Sequence, residues 1–333
     1  MTSSISSSNQ PIRKRWAVRG FLWGFVFLLL AELFLFRNPA LYGVSPASFL
    51  GQIANVQERL ARQNPERIKV LILGDSQSMD ALRPPLLAAH YGLAPDEIFN
   101  LSVSGGKAID MLHLYEEAAD KLPNLQRVIV AVNEHQVSST DIKSDAKFRY
   151  FATLSERMET PRMADKADLV FGQLLYAYGL RDVWTQLAKQ WWDGKLPQEP
   201  RDKYEYRWGL PPVPGREPAH LGPAYAKIVA DRWMKDYRLD GPQANAFHHL
   251  MEKLAKRGVQ VTIVQLPRTQ AFEQVMKATY GQQQAAFRTR MQTEATKIGA
   301  LFTVIPPTLE DAYFRDANHV NERGAKEIVR VMP

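Results

Sequence analysis

Three side chains in this sequence could together do chemistry that none does alone: Ser76, Asp316 and His319. A serine hydroxyl is a poor nucleophile until a base takes its proton, and the base must itself be held in one tautomer. Asp316 and His319 stand three residues apart, a spacing that brings both side chains to one side of a turn or first helical turn. His319 would accept the proton of Ser76, and Asp316 would bond the other ring nitrogen and stabilise the imidazolium. Acyl transfer further needs donors aimed at a developing oxyanion. The backbone N–H groups of Ser76 and Gly105 and the side-chain amide of Asn133 are the candidates. Each residue also has a plainer reading: Ser76 or Asp316 as a helix cap, His319 as a surface side chain, Gly105-Gly106 as a tight turn. Their combination favours catalysis. The adjacent pair His248-His249 does not favour a metal, because neighbours on a helix point apart and no further ligand is spaced nearby. No metal and no cofactor is expected.

The elements that must position these groups follow from hydrophobic pattern. Val70 to Leu73 is a short apolar run, read as a strand buried on both faces, and it stops at Gly74-Asp75-Ser76. Further strands are predicted over Glu97 to Val103, ending at Ser104-Gly105-Gly106, over Arg127 to Val132, ending at Asn133-Glu134, over Val259 to Val264, and over Ala300 to Ile305. Helices are predicted from Phe49, Ile53, Val56 and Leu60 at helical spacing, then over Pro85 to His90, Ala108 to Ala119, Gln243 to Lys256, Gln282 to Ile298 and Asn321 to Val331, with Gly92, Gly258 and Gly299 as stops. The alternation predicts an α/β fold with a parallel sheet, whose ligands bind beyond the carboxyl ends of the strands. Ser76, Gly105 and Asn133 all fall there.

Residues 137 to 244 break this rhythm and concentrate Trp184, Trp191, Trp192, Trp208 and Trp233, with Pro211-Pro212 and Pro214-Gly215. So long a connection is read as a lid or binding element, or as a helical insertion whose aromatics form their own small core.

Residues 1 to 12 are polar and serine-rich and are read as a disordered tail, part of a cytoplasmic segment 1–15. Arg13-Lys14-Arg15 and Arg19 precede an apolar stretch, Gly20 to Phe36, whose only charge is Glu32. Its length is roughly 25 Å as a helix, slightly short of a hydrocarbon core of about 30 Å, and Trp16 to Val18 can extend it. Residues 16–36 are therefore read as a membrane anchor, with the basic flank placing the N-terminus in the cytoplasm and the remainder outside the inner membrane, in the periplasm. A cleaved signal peptide competes, but no small-x-small site follows Phe36 and the stretch is long for such a segment. A connection and helix over 37–66 would lead into a catalytic domain over 67–333. The net charge of +7 is no sign of nucleic acid binding: five basic residues against Glu32 place four of those charges in the first forty positions. The 333 residues contain no cysteine, which excludes disulfides, thiol nucleophiles and thiolate metal sites.

Gly74-Asp75-Ser76, Gly105 after Asn100-Leu101-Ser102-Val103-Ser104, Asn133, and Asp316-Ala317-Asn318-His319 occur in the order that marks the SGNH (GDSL-type) hydrolase superfamily, which the chain resembles from about Lys69 to Val331. The third block departs from the family's Gly-x-Asn-Asp, reading Ala131-Val132-Asn133-Glu134. The resemblance implies a flavodoxin-like sheet of about five parallel strands between helices, a Ser76-His319-Asp316 triad, and an oxyanion hole from Ser76, Gly105 and Asn133. A single anchor before such a domain is similar to the membrane-attached proteins of alginate and cellulose O-acetylation and of teichoic acid D-alanyl transfer. In that family such proteins act beside a polytopic membrane-bound O-acyltransferase. The leading expectation is thus an extracytoplasmic O-acyltransferase, with acetyl as the expected group and a polysaccharide or other cell-surface glycopolymer as acceptor. An esterase using water, and a non-catalytic accessory subunit, are the alternatives.

Overall fold

The computed structural model describes residues 10–45, 48–140, 142–195, 220–305 and 309–333. Trp208, Pro211-Pro212 and Pro214-Gly215 of the aromatic region lie outside the described residues, as do residues 1–9 of the tail.

The chain enters through α1 (Gln10–Ala31), which runs into one turn of π-helix over Glu32–Phe36. Pro11 sits in its first turn, where a missing N–H costs no hydrogen bond. Residues 10–12, read as tail, are thus already helical. Val18–Phe36 is long and apolar enough to cross a membrane or to act as a signal sequence, and only 6 % of it is buried. Next come α2 (Pro39–Gly43) and α3 (Phe49–Arg62), the latter capped by Ser48 Oγ accepting the Gly51 N–H at 2.9 Å.

Five strands then form one all-parallel sheet: β1 (Val70–Leu73), β2 (Ile98–Asn100), β3 (Arg127–Ala131), β4 (Gln260–Gln265) and β5 (Leu301–Val304). Their order across the sheet is 2-1-3-4-5, with the reversal beside β1 that places ligands at a topological switch point. The pleat divides the core. Leu71, Leu73, Val128, Val130, Val261 and Ile263 face α3, α6 (Ala108–Ala119) and the helices over 242–257 and 283–297. Val70, Ile72, Ile129, Ala131 and Val264 face the helices Pro84–Tyr91 and Glu322–Arg330.

The helices between the strands are α4 (Ser76–Ala81), α5 (Pro84–Tyr91) and α6. The predicted second strand is cut to three residues because Asn100 turns its side chain back to the chain, its Oδ1 accepting the Ser102 N–H at 3.0 Å. The interrupting region supplies α7 (Ala146–Phe151), α8 (Leu154–Met158), α9 (Met163–Leu174), α10 (Tyr176–Gly179), α11 (Arg181–Trp192) and α12 (Pro223–Met234). It is not one body. Its first part packs on α3 and α6 and on the foot of α1, whereas α12 packs on the helix over Gln270–Lys297. α13 (Pro242–Arg257) closes on Gly258, and α14 runs over Gln270–Lys297, twelve residues earlier than the predicted start. The two pieces are joined through a kink at Tyr280, just before Gly281, which is the break the sequence pattern responds to. α15 (Glu322–Arg330) ends the fold, capped by Asn321.

Candidate active site

The turn after β1 shows why Ser76 is not a cap. Asp75 is the N-cap of α4, its Oδ1 accepting the Gln77 N–H at 2.9 Å, and Ser76 is the first helical residue. That leaves the Ser76 N–H among the unpaired donors of a helix start. Its hydroxyl lies 2.8 Å from His319 Nε2, and both residues are half-buried. His319 Nδ1 in turn lies 2.8 and 3.0 Å from the two oxygens of Asp316. With the Nδ1 proton donated to Asp316, Nε2 presents a lone pair to the serine hydroxyl. The structure therefore brings Ser76, His319 and Asp316, from opposite ends of the chain, into one hydrogen-bonded line.

The base and acid sit on a tight turn, not on a helix. An antiparallel bridge joins Phe314 to Val320, and Arg315 N–H donates to His319 O at 2.9 Å. Asp316 Oδ1 also accepts the N–H groups of Asn318 at 3.2 Å and His319 at 3.0 Å, so it shapes the turn that carries the histidine. Burial alone would raise this carboxyl, but the bonded His319, the Asn318 N–H and the Arg315 guanidinium hold it well below the ordinary carboxylate range. The turn is fastened from two sides. Thr269, the N-cap of α14, donates its N–H and hydroxyl to Ala317 O at 3.0 and 3.1 Å. On the other side Arg315 Nη2 meets Asp80 Oδ2 of α4 at 2.5 Å.

Gly105 and Asn133 arrive where expected, at the carboxyl ends of β2 and β3. Gly105 has φ of 61°, a left-handed conformation that favours glycine. A Cβ on Gly106 would stand 2.6 Å from Gly74 O, so this loop rests directly on the nucleophile's turn. The side chain of Asn133 is already engaged: Nδ2 donates to Gln77 Oε1 at 2.8 Å. An amide nitrogen carries two protons, so one remains for an oxyanion. The plainer role of Asn133 and Gln77 is to tie the β3 end to α4.

Other polar residues of the site were not singled out by sequence. Asn100 Nδ2 reaches Ser78 O and Leu82 O at 3.3 and 3.2 Å, holding the far end of α4. His135 Nε2 donates to Asp75 Oδ2 at 3.2 Å, and its ring stacks on Trp233 of α12 at 3.9 Å between centroids. Burial pushes His135 below the ordinary imidazole range against the pull of Asp75, and Asp75, despite its own burial, is held below the ordinary carboxylate range by that bond and the Gln77 N–H. Glu134, the acid of the departing third block, forms a fully buried pair with Arg268, at 2.6 Å from Oε2 to Nη1 and 3.2 Å from Oε1 to Nη2. Arg268 Nε also binds Glu273 at 2.6 Å. A buried acid after a strand and a basic residue after Leu266-Pro267 were visible signals, but their partnership spans 134 residues. Among the described tryptophans of the aromatic region, only Trp233 is placed at this site; Trp184 lies against Phe36 at the foot of α1.

Comparison with models of known protein families and with curated protein sequences finds no match. The reading of this site therefore rests on its geometry.

Proposed function

We propose that the chain is an SGNH-type serine O-acyltransferase, held at a membrane by residues 18–36 and acting on a hydroxyl of an extracytoplasmic polysaccharide, with acetyl as the transferred group. The observation that carries this is the line from Ser76 Oγ through His319 to Asp316, both links at 2.8 Å. In the first half-reaction the Ser76 hydroxyl gives its proton to His319 Nε2 as Oγ bonds the acyl carbon. The donor's leaving oxygen departs with that proton. In the second half a sugar hydroxyl gives its proton to His319, its oxygen bonds the acyl carbon, and Ser76 Oγ leaves and recovers the proton. Negative charge on the acyl oxygen would be met by the N–H groups of Ser76 and Gly105 and by Asn133.

Retention of the apolar helix is supported by how its end is built into the fold. Glu32 is buried, accepting the N–H groups of Tyr176 at 2.6 Å and Ala177 at 3.0 Å, and pairs with Arg37 at 3.2 Å. A leader destined for removal has no use for such contacts. The path from that helix also favours a site close to the membrane. In α3, which follows it, Gln52 Oε1 accepts the Ser104 N–H at 2.8 Å, next to Gly105.

Partial exposure of Ser76 and His319 favours a second reading, hydrolysis, in which water takes the place of the sugar hydroxyl. Full-length protein in lipid nanodiscs, given one acyl ester with and without acetyl-free oligosaccharide, separates the two. Transfer to sugar exceeding hydrolysis, and absent in Ser76→Ala, supports the proposal; hydrolysis unaffected by sugar supports an esterase. A polytopic acyltransferase remains the proposed source of the acyl donor.

A further inference from the structure

The foot of the apolar helix is fixed to the helical insertion from several directions. Arg37 Nη2 donates to Gln173 O at 2.8 Å and Leu174 O at 2.9 Å, the last carbonyls of α9. Phe36 packs against Trp184 of α11 with centroids 5.3 Å apart, and Trp184 Nε1 donates to Ala177 O at 2.6 Å. Tyr42 donates its hydroxyl to Phe36 O at 2.5 Å. With the junction so fixed, the surfaces of α9 and α11 that flank it must keep a set position relative to whatever surrounds residues 18–36.

Those surfaces are apolar and, among the described residues, uncovered. Phe171 and Leu174 in the last turn of α9 are 48 % and 66 % exposed, and Trp191 and Trp192 at the end of α11 are 68 % and 83 % exposed. Trp191 follows Trp184 by seven residues, two helical turns, and so continues the face that meets Phe36. Lys189 and Lys195 stand exposed beside these tryptophans. Arg37 and Arg181 lie over the rings of Tyr176 and Tyr178, at 4.4 and 4.5 Å. Tryptophan, tyrosine and basic side chains gathered at the end of an apolar span are the composition of a membrane–water interface, where the amphipathic rings and snorkelling cations are both satisfied.

From this we infer that α9 and α11 dock on the lipid surface, with Phe171, Leu174, Trp191 and Trp192 entering the boundary between headgroups and acyl chains. The inference rests on the reading of Val18–Phe36 as a retained span. It gives the insertion's tryptophans a role: Trp191 and Trp192 enter the boundary and Trp184, packed on Phe36, backs them. Two attachments, span and interface, restrict the tilt of the domain and keep the carboxyl edge of the sheet at a fixed height above the membrane.

The absence of cysteine makes single-site labelling clean. Full-length chains carrying Leu29→Cys, Lys121→Cys, Leu174→Cys or Trp192→Cys are spin-labelled and placed in nanodiscs of zwitterionic and anionic phospholipid without any other protein. Accessibility to oxygen and to a nickel chelate is then measured. The expected result is a label at 29 within the hydrocarbon, a label at 121 in water, and labels at 174 and 192 at a depth of about 5 to 10 Å into the headgroup and acyl boundary. Labels at 174 and 192 as open to the chelate as that at 121, with 29 still in hydrocarbon, overturn the docking alone and leave the face to a protein neighbour. A label at 29 in water overturns the span and the docking together.

Discussion

Arg315 Nη2 meets Asp80 Oδ2 at 2.5 Å with both side chains buried, and this contact clamps the helix that begins at Ser76 to the turn that carries His319. Neither residue touches the reacting atoms, so both act by position. A misplacement of about 1 Å costs on the order of 10²-fold in rate. Asp80→Asn and Arg315→Lys are expected to lower kcat by about 10- to 100-fold with little change in KM. They should slow phosphonate labelling of Ser76 in proportion. Unchanged labelling in folded protein would show that the clamp serves stability only.

Asp316 holds the imidazole by two oxygens and shapes the turn by two N–H bonds, so its neutral isostere removes the orientation and keeps the shape. Asp316→Asn is expected to reduce kcat by about 10³- to 10⁴-fold. The folded carboxyl titrates below its unfolded value, near 4, so the unfolded chain binds the extra proton as pH falls. The stability that wild type gains from the ionised Asp316 is therefore fully present above about pH 4 and is lost below it. Denaturant titrations of both proteins from pH 7 to pH 3 should show their difference shrinking toward the acid end. A difference that grows toward acid contradicts the assignment.

Glu134 and Arg268 have no exposed surface, so removing one charge strands the other. Arg268→Met is expected to destabilise by about 3 to 5 kcal/mol, read from urea midpoints. Glu134→Gln/Arg268→Met should recover part of that loss, because the uncompensated charge is gone. Strictly additive effects would mean that the pair is not coupled.

Asn133 has a structural partner in Gln77 and a proposed catalytic use, and the two separate by kinetics. As an oxyanion donor its replacement by Ala should cost about 10²- to 10³-fold in kcat. Gln77→Leu, which leaves the Asn133 amide in place, should cost far less. Equal losses in both variants would reduce Asn133 to a tie between β3 and α4.

Much of the scaffold was legible because its signals are local. The strands at Val70, Arg127 and Gln260 announce themselves as apolar β-branched runs, and α6 and α13 by periodicity with glycine stops at the latter. Serine, glycine and asparagine after three successive strands, with a histidine near the C-terminus, pointed to the same edge of the sheet where Ser76 and His319 meet. What was hidden is what depends on distance in sequence. Arg315 beside Asp316 gives no sign of Asp80, and Glu134 looks like a lapse in a motif until Arg268 is seen against it. The start of α14 was missed because Gly281 and the kink at Tyr280 break its pattern in two. The tryptophans could be counted in sequence but not assigned, since only the fold sends Trp233 to His135 at the site and Trp184 to Phe36 at the foot of α1.

The most direct test is to trap the acyl group. Full-length protein in nanodiscs is mixed with an activated acetyl ester, quenched in acid within the first turnovers, digested and mapped by mass spectrometry. Acetate is expected as an ester on Ser76, absent in Ser76→Ala, accumulating in the burst, and discharged on adding oligosaccharide with acetyl appearing on sugar. Transfer to sugar at the wild-type rate by Ser76→Ala, or an acetyl-enzyme bonded through any other residue, contradicts the account.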